Sequence, residues 1–310
     1  FRTTDACGNQ SNPPTAVNVS LRDNVAPTIT CPAPQTRNWN GSCQYTIQDF
    51  RGLATTSSTG CGTPNSITQR VIAPFIGASD DFAATVSAAG TCPSTRTFTI
   101  RLCATDCFGN GGDAGPNNSV PANCCSFVLT VTDVTPPTPN AANCPPQIIV
   151  NADANCSIVV PDRRSANLFS DNCDPINVAN IVQIPAPGSS LAVSPICSPG
   201  RTIDLTFTYT DCNGNGPASL TCPGSILARD ITPPTITCPT IPPVVNLSLD
   251  PVSCTYTSVT IPANFFAGLS VARDNCDPMP VVTSNAAGPF DCSQLGLHAV
   301  TVTATDCSGN

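Results

Sequence analysis

The sequence has no lysine and no glutamate, and it holds a single methionine, a single tryptophan and a single histidine, His298. All 12 cations are arginine and all 20 anions are aspartate. Without lysine there is no Schiff-base amine and no lysine–asparagine isopeptide cross-link, and without glutamate no glutamate general acid. Glutamate, lysine and methionine are also among the better helix formers. Threonine, valine, serine, asparagine and proline stand in their place, which excludes long amphipathic helices and predicts an all-β chain. A net charge of -8 with no cluster of arginines denies the chain the footprint of a nucleic-acid binder or of a protein held on an anionic membrane. No run approaches the ~18 apolar residues of a membrane span, so no membrane insertion is expected. Phe1-Arg2-Thr3-Thr4 lacks the regions of a signal peptide, so the sequence reads as mature or as part of something longer.

What is abundant is cysteine, with 20 residues, and proline, with 33, in a chain of 310. Cysteines spread so evenly are a burden in a reducing compartment, whereas outside the cell they staple domains too small to rely on burial. The chain is therefore expected to be extracellular or on the cell surface. Self-similarity explains the spacing. TDACGN at Thr4–Asn9 returns as TDCFGN at Thr105–Asn110, TDCNGN at Thr210–Asn215 and TDCSGN at Thr305–Asn310, a period of about 100 residues. Linkers recur as DNVAPT from Asp23, DVTPPT from Asp133 and DITPPT from Asp230, each leading to a Cys-Pro at Cys31, Cys144 or Cys238. DNCDP stands at Asp171–Pro175 and again at Asp274–Pro278, with Gly60–Pro64 in the matching place of the first repeat.

Before each TD motif, apolar residues alternate with threonine: Phe98, Ile100, Leu102, Ala104; Ile203, Leu205, Phe207, Tyr209; His298, Val300, Val302, Ala304. That is the period of a half-buried strand. A second strand follows the Gly-Asn turn, with Phe127, Leu129 and Val131 in one repeat and Val17, Val19 and Leu21 near the N-terminus. Modules of about 100 residues with several short strands and turn signals between them predict tandem immunoglobulin-like β-sandwich domains, disulfide-rich. The PPTITCP linkers, the DNC after a strand pair and the ATDxxGN before the last strand resemble the hyalin repeat (HYR) domain family. That resemblance implies immunoglobulin-like sandwiches in tandem in large extracellular and adhesion-related proteins, without catalysis. The expected division is residues 1–23 as the final strands of a preceding or strand-donated domain, then domains at 24–133, 134–230 and 231–310. The last of these stops before its final strand. Either one polypeptide continues the array, or the N-terminal strand of one copy completes the last domain of the next, head to tail.

Strand direction orders the cysteines. Cys197 and Cys212 flank a strand of about ten residues, so at ~3.3 Å per residue they are too far apart to bond. Alternating strands put Cys156 and Cys197 at one end of the sandwich, and Cys144, Cys173, Cys212 and Cys222 at the other. The expected bridges are Cys156–Cys197 and Cys173–Cys212, and by the same register Cys43–Cys92, Cys61–Cys107, Cys254–Cys292 and Cys276–Cys307. Cys103 lies across from Cys124-Cys125, where a cross-strand bridge is expected; a zinc site at Cys103-Ala-Thr-Asp-Cys107 lacks the usual CxxC or histidine partners.

The same ordering gathers acidic motifs at the incoming end of each repeat. Asp133, Asp171, Asp174 and Asp211 collect in one set, and Asp230, Asp274, Asp277 and Asp306 in the next. Calcium takes six to eight oxygens, so both sets are candidate calcium sites, whereas the first junction offers only Asp23 and Asp106 and should bind more weakly. The plainer alternative is that these aspartates cap tight turns through their own backbone N–H groups. His298 lies on an inward strand phase, which argues against a catalytic triad, and the DNCDP carboxylates match a glycosidase pair in composition only. The expected role is structural: a segment of an extracellular fibre or cell-surface stalk that contacts neighbouring copies or repeats of itself head to tail. The alternative is an adhesin binding a surface glycan or protein, for which Trp39 would be the anchor if it were not in the core.

Overall fold

The computed structural model describes residues 2–12, 18–57, 66–74, 84–113, 121–238, 252, 270–285, 296–297 and 299–310. Its described regular structure is strand, with 3-10 turns of three residues. No described helix is long and apolar enough to cross a membrane. The chain divides into two compact units, Phe1–Thr135 with Asn172–Pro175, and Pro136–Asp171 with Ile176–Asn310.

In the first unit a four-stranded sheet runs in the order Gln35–Asn38, Cys124–Thr132, Arg96–Thr105, Ser66–Ala73. The first pair is parallel and the others are antiparallel. Two short antiparallel pairs accompany it, Thr28–Thr30 with Thr55–Ser57 and Gln44–Thr46 with Thr85–Ser87. The alternation read from the sequence is the core: Ile100, Leu102, Ala104, Leu129 and Val131 are fully buried, and Phe50 packs edge-on against Phe127 at 5.4 Å. Near the N-terminus the reading differs. Residues 18–27 form no strand, Val19 and Leu21 are exposed, and Val17 lies outside the described residues.

The second unit repeats this plan. Its sheet runs Ile148–Asn151, Ala218–Arg229, Arg201–Tyr209, Val182–Ile184, again with the first pair parallel. Leu205, Phe207, Tyr209, Ile226 and Ile158 fill the core. Two further pairs, Thr138–Pro139 with Phe169–Ser170 and Ser157–Val159 with Ser190–Ala192, match the short pairs of the first unit. A parallel first strand joined to the last strand of an otherwise antiparallel sheet, faced by short strand pairs across a common core, is an immunoglobulin-like sandwich. The third repeat contributes Thr235–Thr237 paired with Val271–Arg273, and Val281–Ser284 paired with Val302–Thr305.

The disulfides correct the expected pairing. Cys43 bonds Cys173, Cys156 bonds Cys276 and Cys197 bonds Cys307. The expected Cys43–Cys92, Cys173–Cys212, Cys156–Cys197 and Cys276–Cys307 bridges therefore do not form. Strand direction assigns Cys156 and Cys197 to the outgoing end of the second repeat, but at that end the nearest sulfurs belong to the incoming loops of the third. The Cα separations there, 5.0 Å and 4.7 Å, are ordinary for a disulfide. Cys43 and Cys156 occupy corresponding turns, at φ 52° and 50°. In each turn an Asx side chain three residues earlier folds the backbone. Asn40 Oδ1 accepts from the N–H groups of Ser42 and Gln44, and Asp153 Oδ1 from those of Asn155 and Ser157.

Cys173 and Cys276 are buried in the cores of the repeats that precede their own. Cys144–Cys222 and Cys31–Cys125 tie the start of a repeat to its last long strand. The expected cross-strand bridge is Cys103–Cys124, which removes Cys103 from any zinc site. Cys92, Cys107 and Cys212 are also disulfide-bonded. Cys61, Cys254 and Cys292 lie outside the described residues, and with them the expected Cys61–Cys107 and Cys254–Cys292 bridges; His298 does as well.

Candidate metal centre

Three strand ends meet where the third repeat begins. Thr235 pairs with Arg273, so the linker from Asp230 runs beside the residue that opens DNCDP, Asp274. Asp306 follows the strand Val302–Thr305 directly. Oxygens of Asp230, Asp274 and Asp306 consequently all lie within 4.8 Å of one another, with Asp230 and Asp306 buried.

The TDxxGN turn explains part of this geometry. Asp306 Oδ1 accepts from the Asn310 N–H at 2.8 Å and its Oδ2 from Asn310 Nδ2 at 3.0 Å, with Gly309 between them at φ 95°. That left-handed conformation is why glycine stands there. Asn310 Nδ2 also donates to the carbonyl of Asp230 at 3.2 Å, so the turn clasps the linker. In the first unit Asn110 does the same for Asp106 Oδ2 and the Asp23 carbonyl, each at 2.9 Å. Asp211 accepts from the Asn213 and Asn215 N–H groups and from Asn215 Nδ2, and Asp5 from the equivalent groups of its own turn. The turn-capping alternative therefore describes one role of all four TD aspartates. The signal was in the sequence: an asparagine four residues after each aspartate.

The linker and DNC aspartates differ. Asp230 Oδ1 accepts from the Thr232 N–H at 3.0 Å, but its buried Oδ2 has no hydrogen-bond partner among the described residues. Asp274 Oδ2 accepts from the Cys276 and Asp277 N–H groups at 2.7 Å and 2.8 Å, while Oδ1 is likewise without one, as is Asn275 Oδ1. Burial, and then the carboxylates of Asp274 and Asp306, push the Asp230 carboxyl above its ordinary pKa. Three carboxyls packed this closely require either a proton or a cation among them. Their hard, partly unsatisfied oxygens, with an amide oxygen adjacent in sequence, fit calcium rather than a softer transition metal. Asp277 serves differently: its oxygens accept from the N–H groups of Met279 and Cys307, joining the DNC loop to the TDC turn. Asp230 also forms part of the wall of a cavity of ≈ 350 Å³, with Arg229, Ser198, Gly200 and Ser308.

Of the other predicted residues, Asp133 and Asp174 are buried in the first unit, and Thr135 donates its N–H to Asp133. Asp171 and Asp211 belong to the second unit. Trp39, the would-be binding anchor, is only 4% exposed and donates its indole N–H to the Ser94 carbonyl, so it is a core residue.

Two immunoglobulin-like sandwiches, with repeats joined by disulfides across their junctions, define an extracellular tandem-repeat protein. The chain aligns over 218 residues, 69% of its length, to hyalin of Strongylocentrotus purpuratus at 30% identity. Over that stretch the chain is similar to hyalin. The alignment spans 15% of that hyalin's length. No family model matches the chain. Among solved structures, extracellular cadherin domains 1-4 of protocadherin gamma B7 cover 91% of this chain and 72% of their own at 12% identity and a TM-score of 0.28. The SrpA adhesin of Streptococcus sanguinis covers 68% and 98% at 16% identity and a TM-score of 0.21. At such scores the structures superpose poorly, and the immunoglobulin-like fold follows from the strand order and cores described above.

Proposed function

We propose that the chain is a structural segment of an extracellular fibre or cell-surface stalk, in which hyalin-type repeats follow one another head to tail and calcium stiffens the junctions. The observation that carries this reading is the pair of bridges Cys156–Cys276 and Cys197–Cys307, which bond the second repeat to the third at two points. Two separated covalent ties oppose bending about a linker already restricted by Pro233-Pro234, a build suited to bearing load rather than to presenting a mobile binding loop. Asp230, Asp274 and Asp306 would hold the cation, which when bound neutralises the carboxylates and fixes the linker against the DNC and TDC loops. The first junction, with Asp23 and Asp106, would bind calcium more weakly. The repeat pattern also supports contact with neighbouring copies or further repeats of the same kind. Electron microscopy of the native material tests the array: long uniform fibres are expected, and isolated short particles would reject it. Melting with and without a chelator tests the cation: calcium should raise the midpoint, and no shift would remove it from the account.

A further inference from the structure

Two of the three facing carboxylates are positioned by loops bonded covalently to the preceding repeat. Asp274 lies two residues from Cys276, whose N–H it accepts and whose sulfur bonds Cys156. Asp306 adjoins Cys307, which bonds Cys197 and donates its N–H to Asp277 Oδ2 at 2.7 Å. Hydrogen bonds reinforce both attachments. Asn275 Nδ2 donates to the Asp153 carbonyl at 2.9 Å; Ser308 Oγ donates to the Ile196 carbonyl at 3.0 Å, and the Ser198 N–H to the Cys307 carbonyl at 3.1 Å. Only Asp230 reaches the cluster along the linker itself. Its side chain is 6% exposed, and its buried Oδ2 accepts no hydrogen bond among the described residues, which leaves that oxygen open to a ligand.

Like charges within 4.8 Å repel one another, and each sits on a loop or linker that would relax outward if free. We propose that Cys156–Cys276 and Cys197–Cys307 are positioning elements of the cation site, holding Asp274 and Asp306 against Asp230 before the cation arrives. This rests on the calcium reading above. A site held in its binding geometry spares the cation the ordering of two loops, so its affinity depends on bonds that supply no ligand atom. Linkage makes the effect reciprocal: calcium must protect the two bridges to the extent that the bridges favour calcium.

The test uses the full chain and calcium chloride. Calorimetric titration compares the oxidised protein with Cys156→Ser/Cys276→Ser, with Cys197→Ser/Cys307→Ser, and with Cys144→Ser/Cys222→Ser as a control bridge in the same unit. Calcium affinity should fall about 10–100-fold in each junction variant, the usual effect of losing support behind metal ligands, and stay unchanged in the control even though all three melt earlier. Equal losses in all three, or none in the junction variants, would overturn the proposal. A second measurement needs no variant. Dithiothreitol is added with and without calcium, each bridge it reduces becoming two thiols as the reagent closes to its cyclic disulfide, and the thiols are then alkylated and located by mass spectrometry. At redox equilibrium calcium should lower the reduced fraction of the two junction bridges and leave that of Cys144–Cys222 unaffected; uniform protection or none would count against the coupling. If the oxidised wild type takes up no calcium, the cation reading itself fails, an outcome distinct from binding that ignores the bridges.

Discussion

Replacing Asn110 with alanine tests whether the TDxxGN turn is a load-sharing clasp or only a local turn. Its Nδ2 donates to Asp106 Oδ2 and to the Asp23 carbonyl, both at 2.9 Å, and Asp106 is 1% exposed. A hydrogen bond to a charged group contributes about 1.5–3 kcal/mol and a neutral one about 0.5–1.5, so Asn110→Ala should destabilise the first unit by about 2–4 kcal/mol. The same unit contains its own control. Asn9 makes the equivalent bond to Asp5 at 3.0 Å, but both residues are exposed and, among the described residues, Asn9 has no linker carbonyl as acceptor. Asn9→Ala should cost about 0.5 kcal/mol or less, as surface changes do. Urea unfolding with disulfides intact and calcium chelated reads both; at an m-value of about 2 kcal/mol/M the expected midpoint shifts are roughly 1–2 M and under ~0.3 M. Equal shifts for the two variants, or less than ~1 kcal/mol for Asn110→Ala, would refute the clasp.

Other consequences follow from the same geometry. The Asp230 carboxyl is raised in the folded state by burial and by its acidic neighbours, so without calcium its stabilising contribution is complete below the ordinary carboxylate value of ~3.9 and is lost as pH rises through the folded value. Calcium-free wild type should therefore lose stability relative to Asp230→Asn as the pH rises above the ordinary carboxylate range; a difference in melting temperature that is flat with pH would contradict this. Trp39→Ala should cost about 3–5 kcal/mol, since it empties a core site, and the wild type's single tryptophan should resist acrylamide quenching in the native state. Easy quenching there would place Trp39 on the surface.

The all-β class and the long central strands were legible because their side-chain alternation is local: Phe98, Ile100, Leu102 and Ala104 are inward in the structure as in the pattern. A bridge from Cys103 to the Cys124-Cys125 strand was legible for the same reason, though the choice of Cys124 came from the register of the two strands. Convergence of Asp230, Asp274 and Asp306 followed from strand direction alone. The disulfide partners did not, because in a periodic chain pairing within a repeat and pairing shifted by one repeat leave the same spacing. Strand direction assigns Cys156 to an end of the sandwich, but not which repeat supplies the sulfur it meets there. Nor could the sequence separate Asp277, which joins two loops, from Asp274, which faces the cluster, since both belong to one DNCDP motif.

Peptide mapping of the unreduced chain bears most directly on the claim that disulfides lock each repeat to the next. After digestion with trypsin and an aspartate-directed protease, mass spectrometry should recover cross-linked peptides joining Cys156 to Cys276 and Cys197 to Cys307. Recovery of Cys156 joined to Cys197, closing the second repeat on itself, would contradict it.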